Sequence, residues 1–527
     1  MDLTEEAAPS PPDAGRRRHG TGLVDAGRAA RWPPVAVAVV VALGLVVRFV
    51  TISHLWLDEA QTVAIAGLPL GDILEALRHD GAPPLFYVLL HGWMKVFGAG
   101  ELSVRFLPGL FSVAALPLAW LAGRRLGGTQ VAWATVVLLA SSPFAVRYAT
   151  EARMYSLVTL LVLLGYLAAR ELLERPTSVR AAAGLGLVTA ALLLTHYWSM
   201  YLLLVVGMVL LAVARRGTSP ARDGARRGLV AVAVGSLAFL PWVPSFLYQL
   251  RHTGTPWGAP GKLRTAFDTI TSFAGGYWDP GLMLAALYFS LTAFALLGRA
   301  VDGRRIEIDL RSRPPGRHLF VVGFGTLVVA IVATVVGRSA FAVRYAAVVF
   351  PMALLLVALG TEVFVDRRIL HGVLALAAVA GFWSIAPNVF VDRTSAARVA
   401  VALEAGAAPG DVVAYCPDQL GPAVSRLLPG GLDQLTFPRA TPPAVVDWVD
   451  YAEVNEPADP APFARMLVDR AGPQATVWLV WAPGYRTYKD KCAALIGELD
   501  ELRPENTRVV KLPRTFEKPG LVRFSPS

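Results

Sequence analysis

The segment PVAVAVVVALGLVVRFVTISHLWLDEA (residues 34–60) decides how this chain is read. Its apolar part, from about Pro34 to Ile52, is long enough to span about 30 Å of hydrocarbon. It lacks a small-residue cleavage site, so it reads as an uncleaved first membrane helix and not as a signal peptide. Just past it stands Asp58-Glu59, an acidic pair at a bilayer surface, and then His79-Asp80-Gly81-Ala82-Pro83-Pro84-Leu85-Phe86-Tyr87. The prolines force extended chain ahead of Leu85 to Phe97. The aromatics of that run suit a helix lying along the surface rather than crossing the bilayer.

The rest of the chain agrees with a membrane solvent. Apolar residues make up 55% of it, charged residues only 17%, and the mean hydropathy is +0.51, all far from a soluble average. Further apolar segments recur near Val104 to Ala122, Val131 to Val146, Tyr155 to Ala169, Ala181 to Thr195, Tyr201 to Ala214 and Leu229 to Leu247. Others follow near Gly281 to Leu297, Leu319 to Val336, Ala346 to Val363 and Leu370 to Ile385, giving about eleven spans. The net charge of +10 does not point to nucleic acid, because arginines gathered in the loops of one face produce the same total. No fixed-period repeat and no nucleotide-binding fingerprint is apparent.

Residues 1–33, rich in Pro, Ala and Arg, read as a disordered tail. Arginine clusters at 16–18, 124–125, 170–180, 215–227, 299–317 and 367–368 fall on one side of the alternating spans, which predicts a cytoplasmic amino terminus. An odd number of spans then puts everything after about Ala386 outside. The expected organisation is a cytoplasmic tail (1–33), an α-helical polytopic membrane domain (34–389) with a first exterior loop at 54–103, and an extracytoplasmic α/β domain (390–527). Asp58, His79, Arg105, Arg147, Glu151, Arg153, His196, Arg251, His252, Arg338 and Arg344 also lie at the outer face under this topology. Basic residues there violate the topological bias and call for another explanation. In the exterior domain, Asp411 to Tyr415 and Ala475 to Trp481 read as short buried strands and Lys491 to Leu502 as a helix. Cys416 and Cys492, the chain's two cysteines, both fall on the oxidising side, where a disulfide fits better than a metal site.

Several ordered motifs in residues 35–200 resemble the GT-C superfamily of polytopic glycosyltransferases, in particular bacterial relatives of protein O-mannosyltransferases and of the lipid A aminoarabinose transferase. They are Leu57-Asp58-Glu59-Ala60, HDGAPPLFYVLLHGW (79–93), Arg105-Phe106-Leu107-Pro108 followed by Arg124-Arg125-Leu126, YATEARMY (148–155) and Thr195-His196-Tyr197. Arg344-Tyr345 ahead of an apolar run with Pro351 extends the likeness. The resemblance implies a membrane enzyme of the bacterial plasma membrane. Such an enzyme moves a sugar from a polyprenyl phosphate to a cell-envelope glycan, lipid or protein at the outer face, with inversion at the anomeric carbon. It points to mannose, with pentose and aminopentose donors as alternatives.

That reaction assigns roles by chemistry. An acceptor hydroxyl is a poor nucleophile at neutral pH, so a positioned carboxylate base is needed. Asp58 is the expected base, and Glu59 beside it could orient the acceptor, hold a divalent cation or raise the Asp58 pKa by repulsion. The leaving phosphate needs cationic donors but no general acid. Arg153 and Arg344 are the main candidates, with His79 and Arg105 behind them. Tyr148, Glu151, Tyr155, His196 and Tyr345 are expected to contact acceptor or lipid, although His196-Tyr197-Trp198 reads more readily as an aromatic belt at a helix end, and a Glu151–Arg153 pair could simply fix the loop. Trp257, Tyr277 and Trp278, in a long exterior loop, could guide the lipid or stack on sugars. The exterior domain is expected to bind the acceptor. A transporter or flippase of lipid-linked glycans is the alternative class. It would place acids or broken helices near the bilayer midplane, whereas most charges here lie at span ends.

Overall fold

The computed structural model describes residues 34–255, 258–512 and 515–526, so the tail read at 1–33 and Trp257 lie outside them. Among the described residues, seven helices are long and apolar enough to cross a membrane: Glu101–Ala140, Tyr155–Glu174, Ser199–Arg216, Ala221–His252, Asp279–Leu297, Pro314–Val336 and Arg367–Phe390. Glu101–Ala140 is in fact a hairpin of two segments. Gly127 and Gly128 leave the helical conformation, Gly128 at φ +76°, and beyond them the Trp120 and Trp133 rings face each other at 6.2 Å. With that helix taken as two, and with the shorter Val35–Val47, Val179–Leu193 and Phe350–Val363, each expected span has a helical counterpart.

Local chemistry moves some boundaries. The segment expected to run to Val146 stops at Ala140, because Ser142 caps a new helix, Pro143–Ala149, by accepting from the Ala145 amide at 3.2 Å. The span expected over Leu229 to Leu247 is broken by a 3₁₀ turn, Leu237–Trp242, around Pro241, which has no amide hydrogen to give. The stretch read as a long exterior loop contains a helix, Leu263–Phe273.

The loop after the first span folds as three helices, Leu57–Gly67, Leu70–Asp80 and Leu85–Phe97. The third has 13 residues, about 20 Å of helix, and it buries Phe86, Tyr87 and Leu90 along one face. Gly81 ends the second at φ +82°, and a Cβ there would lie 2.9 Å from Thr253 Oγ1. Only glycine meets both demands, and so the turn fixes Asp80 just before it.

The carboxyl-terminal part carries a five-stranded sheet in the order Asp433–Thr436, Val412–Cys416, Val477–Trp481, Gly520–Phe524 and Asn506–Val510. Val412–Cys416 runs parallel to both its neighbours, and the other pairs are antiparallel. The two strands and the helix expected there, Val412–Cys416, Val477–Trp481 and Lys491–Leu502, all form, and Cys416 is joined to Cys492. This domain packs on the loop after the first span: Trp56 and Leu57 belong to its hydrophobic core, and Glu517 accepts from the Leu57 amide at 3.1 Å.

Candidate active site

Asp58 and Glu59 occupy the first turn of the helix Leu57–Gly67, where the helix dipole favours negative charge. Successive residues on a helix diverge by about 100°, and that rotation separates them. Glu59 turns inward and is 0% exposed. Arg105 grips both its oxygens (2.8 Å to Oε1, 2.6 Å to Oε2), the Ala152 amide donates to Oε1 at 2.9 Å, and Arg393 lies 3.6 Å from Oε2. Burial works against its charge, but Arg105, Arg393 and the Ala152 amide more than offset it and hold the carboxyl below the usual Glu value. Glu59, expected in catalysis, and Arg105, expected at the phosphate, thus neutralise each other in a buried ion pair.

Asp58 faces the other way. Its side chain is 14% exposed, Arg344 approaches Oδ2 at 3.4 Å, and that oxygen makes no hydrogen bond among the described residues. Behind it, Arg153 Nη1 donates to the Asp58 carbonyl at 3.4 Å, to Thr62 Oγ1 at 2.7 Å and to Tyr87 Oη at 3.2 Å. Tyr87 donates to Asp80 at 2.7 Å, and Gln61 holds the other Asp80 oxygen. Burial pushes the Asp80 carboxyl above its ordinary value against the pull of Arg153, Tyr87 and Gln61. The motifs at 57–62, 80–87 and 150–153 therefore interlock around one acidic turn.

His79 is paired too: its Nδ1 meets Asp447 of the sheet domain at 3.0 Å, and its neighbour Asp80 enters the network instead. Glu151 does not pair with Arg153. It lies buried against Arg147 (3.2 Å) and Arg393 (3.9 Å), and burial raises its pKa despite both. The aromatic candidates do converge. Ring contacts run from Tyr148 to Tyr155 (4.7 Å), Tyr155 to His196 (5.9 Å) and His196 to Tyr345 (5.3 Å). The Arg344 guanidinium lies 5.5 Å from the Tyr345 ring and 5.9 Å from that of Trp56. Burial, helped by Arg153 and Arg344, lowers the His196 pKa to about 3, so this histidine is neutral at physiological pH. Among the described residues, no three His, Cys, Asp or Glu side chains converge as metal ligands.

Sequence reasoning missed Asp80, Arg393 and Glu517. Asp80 carried a signal, its position beside the Pro-Pro turn. Arg393 and Glu517 carried none, since both reach the site from far along the chain. Arg393 donates to Thr150 and to Asn388 Oδ1 at 2.8 Å, and Glu517 tethers the residue before Asp58. Burial pushes the Glu517 carboxyl up from 4.5 to about 8. A carboxyl with a higher pKa in the folded state binds more protons there. Its stabilisation is thus complete below the unfolded value and lost as pH rises through the folded one. The thermal midpoint of the wild type should fall between about pH 5 and pH 9 more steeply than that of Glu517→Gln, and parallel slopes would remove Glu517 as the source.

A family model described as dolichyl-phosphate-mannose-protein mannosyltransferase matches residues 81–244. Among solved structures, ArnT from Cupriavidus metallidurans bound to undecaprenyl phosphate aligns over 94% of this chain and 99% of its own, at 15% identity and a TM-score of 0.58. Its apo state aligns over 93% and 98%, at 15% identity and a TM-score of 0.61. The Archaeoglobus fulgidus oligosaccharyltransferase in complex with Zn and sulfate aligns over 84% of this chain and 67% of its own, at 11% identity and a TM-score of 0.51. No curated protein matches in sequence. At these identities the likeness is one of fold. This chain shares with ArnT a fold of apolar helices followed by a small carboxyl-terminal sheet domain.

Proposed function

We propose that this chain is an inverting glycosyltransferase that moves a sugar from a polyprenyl-phosphate donor to a hydroxyl of a cell-envelope glycan, lipid or protein. The observation that supports this most is the Asp58 carboxylate, whose Oδ2 makes no hydrogen bond among the described residues and lies 3.4 Å from Arg344 at the edge of an aromatic cluster. The acceptor hydroxyl gives its proton to Asp58 as its oxygen bonds to the anomeric carbon. The bond from that carbon to the carrier oxygen breaks on the opposite face, its electron pair leaves on the phosphate, and the configuration inverts. Charge building on the phosphate calls for a cation in a site of low dielectric. Arg344 suits that role, because its guanidinium lies beside the Asp58 carboxylate at the edge of the aromatic cluster.

A polyprenyl phosphate is favoured because a structure of the same fold was solved with undecaprenyl phosphate, and mannose because of the description of the matching family model. The arginine-rich loops support a cytoplasmic amino terminus, with the sheet domain outside a bacterial plasma membrane and transfer at the outer face.

The experiment is transfer of radiolabel from a panel of polyprenyl-phosphate sugars to an envelope fraction by the purified protein. Label from the mannose donor in the acceptor is the expected result. Label from a different sugar would correct the donor, and none from any donor would overturn the enzyme reading. Arg344→Ala should raise the donor concentration needed for half-maximal rate and lower kcat/KM roughly 10- to 100-fold, the scale of one charged hydrogen bond. An unchanged donor KM would take Arg344 out of phosphate binding.

A further inference from the structure

Beside the catalytic cluster lies a second cavity of about 630 Å³, within the range of small-ligand sites. Tyr148 and Val343, the residue before Arg344, form part of its wall, and Arg147 and Asn388 add polar groups. The opposite wall is Phe516, which belongs to the sheet domain and reaches the cavity on the loop between the strands Asn506–Val510 and Gly520–Phe524. Two features are unexplained by packing. Phe516 is 72% exposed although it sits where two domains meet. Ser384, which also lines the cavity, is 6% exposed and its Oγ has no hydrogen-bond partner among the described residues. A buried hydroxyl without a partner is costly and is satisfied when a ligand supplies one.

We infer that this cavity is the acceptor subsite and that its occupant is a carbohydrate ring packed on Phe516 and Trp278. The inference rests on the transferase reading above and narrows it: the acceptor is a glycan. Sugar rings present apolar C–H faces that pack on aromatic faces, and hydroxyl edges that pair with groups such as Ser384 Oγ. Aromatic rings and the polar groups of Arg147, Asn388, Asp392 and Arg393 line the same cavity, a mixture that matches the two kinds of surface on a sugar ring. The cavity adjoins the reacting centre through packed side chains. Phe516 meets Trp56 edge to face at 5.3 Å, and Trp56 lies 5.9 Å from the Arg344 guanidinium that borders Asp58.

The test titrates acceptor and donor separately in the transfer assay, with a delipidated envelope glycan fraction as acceptor and the donor that the wild type uses. Phe516→Ala should raise the acceptor concentration for half-maximal rate roughly tenfold, leave the donor KM unchanged, and be rescued by Phe516→Tyr. Because Phe516 is exposed, its removal spares the core, and unchanged thermal midpoints would verify this. An unchanged acceptor KM, or a rise in the donor KM instead, would overturn the assignment. So would transfer by the wild type to envelope protein or lipid but not to the glycan fraction. No transfer by the wild type to any fraction would refute the underlying transferase reading, an outcome distinct from these.

Discussion

Asp58→Asn is expected to lower the transfer rate about 10²- to 10⁴-fold, the usual contribution of a positioned general base. The replacement is nearly isosteric. Asp58 Oδ2 makes no hydrogen bond among the described residues, and the bonds that Thr62 (2.6 Å) and Arg153 (3.4 Å) donate to its backbone carbonyl are indifferent to the side chain. The loss should therefore appear in kcat and kcat/KM together, with an unchanged thermal midpoint and an unchanged donor KM, the signature of an interaction made in the transition state. Full activity in a folded Asp58→Asn protein would move the base elsewhere. Asp80 would then be the next carboxyl to test, since burial already raises its pKa and it joins the same network through Tyr87 and Arg153.

Arg105→Ala should destabilise the protein by about 3–5 kcal/mol, the cost of leaving a buried charge without its partner. Glu59 would keep the Ala152 amide at 2.9 Å and Arg393 at 3.6 Å but lose both its shortest contacts. Arg105 also donates to the Ser53 and His54 carbonyls, so the same change releases the chain just before the catalytic turn. The thermal midpoint in detergent and the yield of folded protein are the readouts. A phosphate-binding role predicts the reverse pattern: normal stability with a raised donor KM. In a double-mutant cycle, Glu59→Gln and Arg105→Gln should each be costly and their combination far less than additive, because the two groups act as one unit.

The legible part of this protein was everything carried by neighbours in the chain. A membrane-spanning helix must satisfy its own backbone within a single segment, so its length and apolar content are local properties, and each expected span has a helical counterpart. The same holds for the strands Val412–Cys416 and Val477–Trp481, buried enough to read as continuous apolar runs. The broken span at Pro241 and the early stop at Ala140 also have local causes, a missing amide and a serine cap, and only their consequence was misjudged. Tyr148, Tyr155, His196 and Tyr345, drawn from three separate segments that the motifs singled out, do meet.

What only the tertiary structure decided is which member of each motif faces which way. Asp58 and Glu59 are adjacent carboxylates of similar chemistry, and their fates diverge because one residue of helix turns the side chain by about 100°. One meets Arg344 at the edge of a cluster and the other enters the core beside Arg105. His79 and Asp80 divide in the same manner, toward Asp447 and toward Tyr87. Arg393, Phe516 and Glu517 lie more than 300 residues from Asp58 in the sequence, and it is the docking of the sheet domain that brings them beside it. Side-chain identity sets what a group can do chemically. Whether it does so depends on the charge and solvent around it, and these are set by residues that only folding makes neighbours.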